Sequence, residues 1–144
     1  MKNNLLQKNG FTLIELILVV AIISILAASA TSFGSNFLTR NNLENKTNEV
    51  VSSLRTAQVN AISSKEDRQW GVETTSSQIK LFAVGDSGFD QTFSVPASIS
   101  ISVENVVFDK LTGNPDSVST ITVSNNIGES NTVTVNEVGI VDVN

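Results

Sequence analysis

A long apolar segment near the N-terminus limits what this chain can fold into more than any other feature. No charged residue occurs from Leu16 to Ala30, and residues 11–33 supply about the 20 residues that an α-helix needs to cross the hydrocarbon core of a bilayer. The segment therefore predicts either a transmembrane anchor or the core of a cleaved secretory signal. A chain of 144 residues then has room for one further domain.

The secretory alternative has one feature in its favour and two against it. Ala28-Ser29-Ala30 resembles a signal-peptidase site, and cleavage there would begin the mature chain at Thr31. The apolar part, however, is longer than the usual signal core of about 7–15 residues. It also contains Glu15, and a carboxylate costs about 2.5–3.5 kcal/mol at the centre of an inserted helix and less near its end. These two features favour a retained anchor.

The residues around this glutamate resemble a known processing signal. Gly10 is followed by Phe11-Thr12-Leu13-Ile14-Glu15-Leu16, which resembles the N-terminal signal of type IV pilins and type II secretion pseudopilins. The resemblance implies that prepilin peptidase cuts between Gly10 and Phe11 and that Phe11 is then N-methylated. It also implies that Glu15 pairs with the Phe11 amine of a neighbouring subunit, and an intramembrane carboxylate does need a partner. Alternatively, Glu15 only snorkels to the inner interface.

The charges before the apolar segment predict its orientation. Residues 1–10, the cleaved leader, carry Lys2 and Lys8, and positive charges near a span stay in the cytoplasm. We therefore expect a single-pass protein of the inner (cytoplasmic) membrane, with its N-terminus cytoplasmic and its later domain outside. Residues 11–34 would form the transmembrane helix, which becomes filament core once the subunit joins a pilus or pseudopilus.

Residues 35–68 predict an amphipathic helix that continues into the globular domain. Apolar or small residues recur at alternating intervals of four and three, and two more widen the stripe: Leu43, Thr47, Val50, Leu54, Ala57 and Ala61, with Val51 and Ile62. Polar residues occupy the opposite face: Glu44, Lys46, Glu49, Arg55 and Asn60. Such a helix is expected to pack its apolar face on a sheet.

Residues 69–144 show the period of two that is typical of strands. Alternating segments lie at 78–84, 98–103, 120–123 and 132–135, with turn sequences at 85–88, 112–117 and 125–130. The expected core residues are Ile99, Ile101, Val103, Ile121, Val123, Val133 and Val135, with Trp70, Phe82, Phe93 and Phe108. The predicted fold class is α+β: a long N-terminal α-helix, with a membrane-spanning and an amphipathic half, packed on a C-terminal antiparallel β domain.

A helix followed only by strands resembles the H-type minor pseudopilins and their FimT-like relatives. Local matches are Leu54-Arg55-x-Ala57, Ala61-Ile62, Val107-Phe108 with the later Gly113, Val133-x-Val135-Asn136 and Gly139-Ile140-Val141. The resemblance implies a structural subunit that is processed, methylated and assembled for pilus formation or protein secretion. Its implied partners are other pilin or pseudopilin subunits, prepilin peptidase, the inner-membrane assembly platform and the lipid bilayer.

Composition argues against catalysis and bound cofactors. The chain has no histidine and no cysteine, which excludes a His-based triad, a cysteine nucleophile, a Cys/His zinc site and a disulfide. Asp86 and Asp90 flank Gly88 and could bind calcium, but turn chemistry explains them equally well and the EF-hand spacing is absent. We predict no enzyme, no cofactor and no metal.

Charge argues against nucleic acid as a partner. Residues 69–144 contain two lysines against nine acidic residues, a net charge of −7, which repels a phosphate backbone. Some FimT-like proteins capture DNA through a basic C-terminal end, whereas this chain ends in Val-Gly-Ile-Val-Asp-Val-Asn. Two alternatives to a filament subunit remain: a DNA-capturing minor pilin, and an anchored or secreted binding domain that never polymerises.

Overall fold

The computed structural model describes residues 10–144, and for residues 29–35 it describes the backbone only. The chain divides into two compact units, Met1–Ser35 and Asn36–Asn144, here called the N-terminal unit and the outer unit. One helix, α1, runs over Leu13–Ile62. Apart from Gly10, the predicted leader at residues 1–10 lies outside the described residues, and so do its two lysines.

In the N-terminal unit, α1 presents apolar side chains on all sides. Large aliphatic residues from Leu13 to Leu26 are between 47% and 78% exposed. The membrane-spanning part predicted for residues 11–34 is not confirmed: within the part of the chain that the structure describes, no helix is long and apolar enough to cross a membrane.

The predicted amphipathic stripe is confirmed in the outer unit. Seven of its eight residues are buried: Leu43, Thr47, Val50, Val51, Leu54, Ala57 and Ala61. The prediction was wrong for Ile62, which is 47% exposed because it is the last residue of the helix. The buried stripe joins the β residues in a single core, so the helix contributes one wall of the hydrophobic interior.

The helix ends earlier than the predicted boundary at residue 68. After Ile62 the backbone turns, and Lys65–Asp67 form one short 3-10 helix. Ser64 has a φ of 51° and Glu66 a φ of 56°, and a left-handed residue cannot continue a right-handed helix. The Lys110 ammonium binds the carboxyl group of Asp67, and this hydrogen bond and its charge lower the pKa of Asp67.

Within residues 10–144, eight strands form two antiparallel sheets of four. The strands are β1 Trp70–Thr74, β2 Gln78–Ala83, β3 Asp86–Ser94, β4 Ile99–Ile101, β5 Glu104–Phe108, β6 Ser119–Asn125, β7 Ser130–Val135 and β8 Val141–Val143. The first sheet has the order β3-β2-β1-β5 and the second the order β4-β6-β7-β8. Together with the outer part of α1, these sheets confirm the predicted α+β class.

The inward-facing residues of the strands were mostly predicted correctly. Those confirmed as buried are Trp70, Ile99, Ile101, Phe108, Ile121, Val123, Val133 and Val135. The prediction was wrong for Val103, which is 73% exposed. The reason is that β4 ends at Ile101 and the chain there crosses to the first sheet. Phe93 is only partly buried against the core.

Phe82 was also predicted to be a core residue, and it lies on the other face of the first sheet. Leu81 and Ala83 on either side are buried, so alternation turns Phe82 outward. Its ring covers Gly71 on the neighbouring strand: a Cβ atom at Gly71 would lie 2.8 Å from Phe82 Cζ and 2.7 Å from the Val106 carbonyl oxygen. Glycine is therefore required beneath this ring.

The turn predicted at residues 85–88 is shorter than expected, because β3 already begins at Asp86. The β2–β3 register then shifts between Leu81 and Ala83, which leaves extra β3 residues opposite Phe82. This bulge carries Phe89, whose ring centroid lies 6.1 Å from that of Trp70. The bulge thus lets an edge strand cover the tryptophan in the core.

A buried hydroxyl connects β1 to the crossover between the sheets, which leads to a stability prediction. Thr74 is fully buried; its Oγ1 donates to the Ser102 carbonyl at 2.7 Å and accepts from the Glu104 N–H at 3.1 Å. We expect Thr74→Val to lower the free energy of unfolding by about 1–3 kcal/mol, because two half-buried backbone groups, the Ser102 carbonyl and the Glu104 N–H, lose their buried partner. Urea unfolding measures this, with the exposed strand position Thr120→Val as the control; equal midpoints for both variants would contradict it.

Candidate processing and assembly site

The first turn of α1 is capped by Thr12, which belongs to the motif that starts at Gly10. Thr12 precedes the helix, and its Oγ1 accepts a hydrogen bond from the Glu15 N–H at 3.3 Å. The Thr12 carbonyl accepts from the Leu16 N–H at 3.2 Å. Thr-x-x-Glu before an apolar run is the sequence pattern of a helix N-terminus, so this spacing already contained the signal for the cap.

Phe11 and Glu15 lie one helical turn apart at this N-terminus. Together with Leu16 and Val19 they line a cavity of about 250 Å³. Phe11 is 85% exposed, and a Cβ atom added to Gly10 would meet no atom within 4 Å. The Gly10–Phe11 bond thus lies in open surroundings, as a protease needs for access to a peptide bond.

Glu15 occupies a position where a carboxylate suits the helix, and it has no ionic partner among residues 10–144. It lies in the first turn, and negative charge there interacts favourably with the helix dipole, by about 0.3–1 kcal/mol. Among the ion pairs of residues 10–144, none involves Glu15. The other residues of this open cavity are apolar, so a cation brought there would be attracted more strongly than in water once lipid or other helices cover the cavity.

The aspartates considered for calcium are engaged in ion pairs with basic side chains. Asp86 lies 3.5 Å from Arg68 and Asp90 lies 3.1 Å from Lys80. Asp86 Oδ1 also accepts a hydrogen bond from the Gly88 N–H, as in an ordinary Asx turn. Across residues 10–144, no group of three or more acidic side chains is placed to hold a metal ion.

Basic side chains of the outer unit are mostly neutralised within it. Five of them form ion pairs with carboxylates: Arg40, Lys46, Arg68, Lys80 and Lys110. Lys65 lies over the Trp70 ring, 5.0 Å from its centroid. Nucleic-acid binding relies on unpaired basic groups arranged in a patch or stripe, and these pairings work against it.

Comparison with known proteins gives a match for the N-terminal segment. A family model described as the prokaryotic N-terminal methylation motif matches residues 6–31. No curated protein and no solved structure matches the chain. The match includes Gly10, Phe11 and Glu15, and it points to a structural rather than an enzymatic protein, anchored at the inner membrane as a precursor. It supports a type IV pilin-like subunit that is processed at its N-terminus and that has prepilin peptidase and other pilin subunits as partners.

Proposed function

We propose that the chain is a structural subunit, a minor pilin or pseudopilin, of a type IV pilus-like filament or a type II secretion pseudopilus. Prepilin peptidase cuts after Gly10, Phe11 is N-methylated, and residues 11–34 hold the subunit in the inner membrane until the assembly platform adds it to a filament. The observation that carries this proposal is the methylation motif over residues 6–31.

The exposed apolar surface of the N-terminal unit supports the same proposal. A helix that is apolar on every side is stable only where lipid or other helices cover it, and the side chains from Leu13 to Leu26 are exposed in the isolated chain. Lipid covers them before assembly and neighbouring helices cover them afterwards. One surface thereby serves as anchor and as filament core.

In this mechanism, Glu15 makes binding between subunits selective for the Phe11 amine of a processed neighbour. Cleavage after Gly10 creates a positive amine on Phe11, and a carboxylate among apolar neighbours, with no ionic partner in the described part of the chain, attracts such a charge. Because Phe11 and Glu15 line one cavity at the start of α1, every subunit offers both halves of the pair. The amine of one subunit can then bind the carboxylate of the next, which is a heterologous contact that extends into a filament.

The outer unit supports the proposal that this subunit is of the H-type, FimT-like kind. Its long helix is followed by one short 3-10 helix and then by strands, in two sheets of four. The local matches lie on these elements: Leu54-Arg55-x-Ala57 on α1, Val107-Phe108 on β5 and Val133-x-Val135 on β7. The acidic surface of residues 69–144 favours a role in assembly over DNA capture.

The proposal predicts the N-terminus of the mature protein. In membranes of its own host, intact-mass and N-terminal peptide analysis should give a chain that begins at N-methylated Phe11. A Gly10→Val variant should keep residues 1–10, because it places a branched side chain directly beside the bond that we propose is cut. A mature chain that begins at Thr31 would contradict the proposal and establish an ordinary secreted domain.

A further inference from the structure

Three strand connections meet at one end of the outer unit, here called the proximal end: residues 75–77, 95–98 and 126–129. The Val95 N–H donates to the Ser77 carbonyl at 2.9 Å, and the Asn126 N–H donates to the Ser98 carbonyl at 3.1 Å. These hydrogen bonds join the three connections into one surface, although they are far apart in sequence.

The proximal end lies beside the first residues of α1 in the outer unit. Arg40 Nη2 is 2.8 Å from Glu129 Oε1, which joins connection 126–129 to the helix four residues after the unit begins at Asn36. Farther along α1, Thr47 Oγ1 accepts a hydrogen bond from Asn131 Nδ2 at 3.2 Å. The proximal end is therefore the end at which α1 enters the outer unit.

Three other connections meet at the opposite end, here called the distal end: residues 63–69, 109–118 and 136–140. The Leu111 N–H donates to the Ala61 carbonyl at 3.0 Å, and a Cβ atom at Gly139 would lie 2.7 Å from the Gly113 carbonyl oxygen. Ala61 follows Arg40 by 21 residues on α1, which corresponds to roughly 32 Å along the helix axis.

The two ends differ in charge. Glu129 is the one charged residue in the proximal connections, and its carboxylate is neutralised by Arg40. The distal connections contain eight charged residues: Lys65, Glu66, Asp67, Arg68, Asp109, Lys110, Asp116 and Glu137. The acidic residues that come next on the proximal side are Glu44, four residues farther along α1, and Glu104, the first residue of β5. Anionic lipid headgroups repel acidic groups, so the proximal end is the one suited to lie on a membrane.

The β6–β7 turn holds its tip in one conformation. Asn125 Oδ1 accepts hydrogen bonds from the N–H groups of Ile127 at 3.2 Å and Glu129 at 2.9 Å, and Asn125 Nδ2 donates to Glu129 Oε2 at 3.1 Å. A Cβ atom added to Gly128 would meet no atom within 4 Å. Ile127 is 42% exposed, so a fixed and open turn presents an apolar side chain at the proximal end.

The proposed anchor leaves the membrane close to this surface. Residue 34, the last of the proposed span, precedes Arg40 by six residues, which reach at most about 22 Å when fully extended. The headgroup layer alone covers roughly 5–8 Å of that distance. Phe37 and Leu38 lie between the two and are 65% and 62% exposed, and such side chains are suited to the membrane interface.

We propose that the proximal end of the outer unit rests on the lipid headgroups of the membrane in which the chain is anchored, with Ile127 entering the interface. This inference deepens the proposed function and rests on it, because the bilayer covers this surface only while the subunit is anchored. The distal end, with its eight charged residues, then faces away from the membrane.

This contact is weak enough to break when the subunit leaves the membrane. Binding to an interface scales with the apolar area that is buried, and one partly exposed isoleucine at the tip of a turn supplies little. The contact fixes which end of the outer unit faces the bilayer and adds little to the hold of the anchor. It therefore orients the precursor without opposing its transfer into a filament.

The absence of cysteine from the chain allows a measurement with a single attached dye. The full chain carrying Asn126→Cys or Ser117→Cys is labelled with the environment-sensitive dye NBD and reconstituted in vesicles of phosphatidylethanolamine and phosphatidylglycerol. Both positions are exposed, one in the β6–β7 turn and one in a distal connection. When the lipid headgroups carry nitroxide quenchers, the dye at position 126 should lose most of its fluorescence and the dye at position 117 should lose little.

A substitution at Ile127 tests the contact directly. Ile127→Asp in the Asn126→Cys chain adds a carboxylate that anionic headgroups repel, so the dye at position 126 should be quenched no more than the dye at position 117. Ile140→Asp is the matched control, because Ile140 is also an exposed isoleucine, at 54%, but lies in a distal connection. Quenching at position 126 should be unchanged by this control.

Flotation of the vesicles separates this contact from the proposed function. Chain that floats with the vesicles but is quenched equally at positions 126 and 117 would overturn the lipid contact and leave the anchor in place. Quenching at position 126 that Ile127→Asp does not reduce would overturn the contact as well. Chain that does not float would contradict the membrane anchor of the proposed function, and the contact would fail with it.

Discussion

Replacing Glu15 with leucine is expected to remove the chain from filaments while leaving its amount in the membrane fraction unchanged. Leucine favours insertion, so the anchor is retained. In the filament core, however, the methylated amine of a neighbouring Phe11 would lose its carboxylate. Removing one partner of a buried ion pair costs about 3–5 kcal/mol, which corresponds to a loss of incorporation of roughly 10²- to 4 × 10³-fold. Immunoblots of sheared filaments and of membranes measure the two quantities.

Thr12→Ala is the control for the second contribution of the first turn of α1, which is the capping of the helix. It removes the Oγ1 that caps the Glu15 N–H and leaves the carboxylate in place. Loss of a cap costs about 1 kcal/mol of helix stability, so incorporation should fall far less than with Glu15→Leu. If Glu15→Leu assembles as well as the wild type, Glu15 only snorkels to the interface and the pairing mechanism is wrong.

The largest effect on stability is expected for Phe108→Ala. Phe108 is fully buried and lies opposite Trp70 in the β1–β5 pairing, and truncating a buried phenylalanine costs about 3–5 kcal/mol. Trp70 is the only tryptophan of the chain and is itself buried, so its fluorescence in urea reports unfolding of the outer unit. We expect a lower midpoint with an unchanged slope.

Phe37→Ala is the matched control, because Phe37 is 65% exposed. Substitutions at exposed positions usually change stability by less than about 0.5 kcal/mol. Similar midpoints for Phe37→Ala and Phe108→Ala would mean that Phe108 does not belong to the core.

The periodic elements were predictable because burial imposes a period on the sequence. The stripe from Leu43 to Ala61 has the spacing of one helix face, and Ile121 and Val123 have that of one strand face; all four are buried. Phe82 and Val103 were mispredicted for a shared reason. Which face of a strand is inward, and where a strand ends, depend on neighbours distant in sequence, and here Gly71 accommodates the Phe82 ring from the next strand.

The candidate site is local in sequence. Gly10, Phe11 and Glu15 lie within the short segment from Gly10 to Leu16, inside the methylation motif that matches residues 6–31, and their individual roles stay predictions. The signal for the helix cap at Thr12 is likewise a short sequence pattern that needs no distant contact.

The sequence by itself therefore determined the apolar N-terminal segment with its single carboxylate, the change from helical to strand period, and the acidic charge of the last 76 residues. These properties depend only on which residues follow one another. Tertiary structure alone decided the division of eight strands into two sheets and the end of α1 at Ile62. It also decided that the loop after β5 meets the end of α1, where the Leu111 N–H donates to the Ala61 carbonyl. Such features arise from contacts between segments far apart in the chain, and only packing brings those segments together.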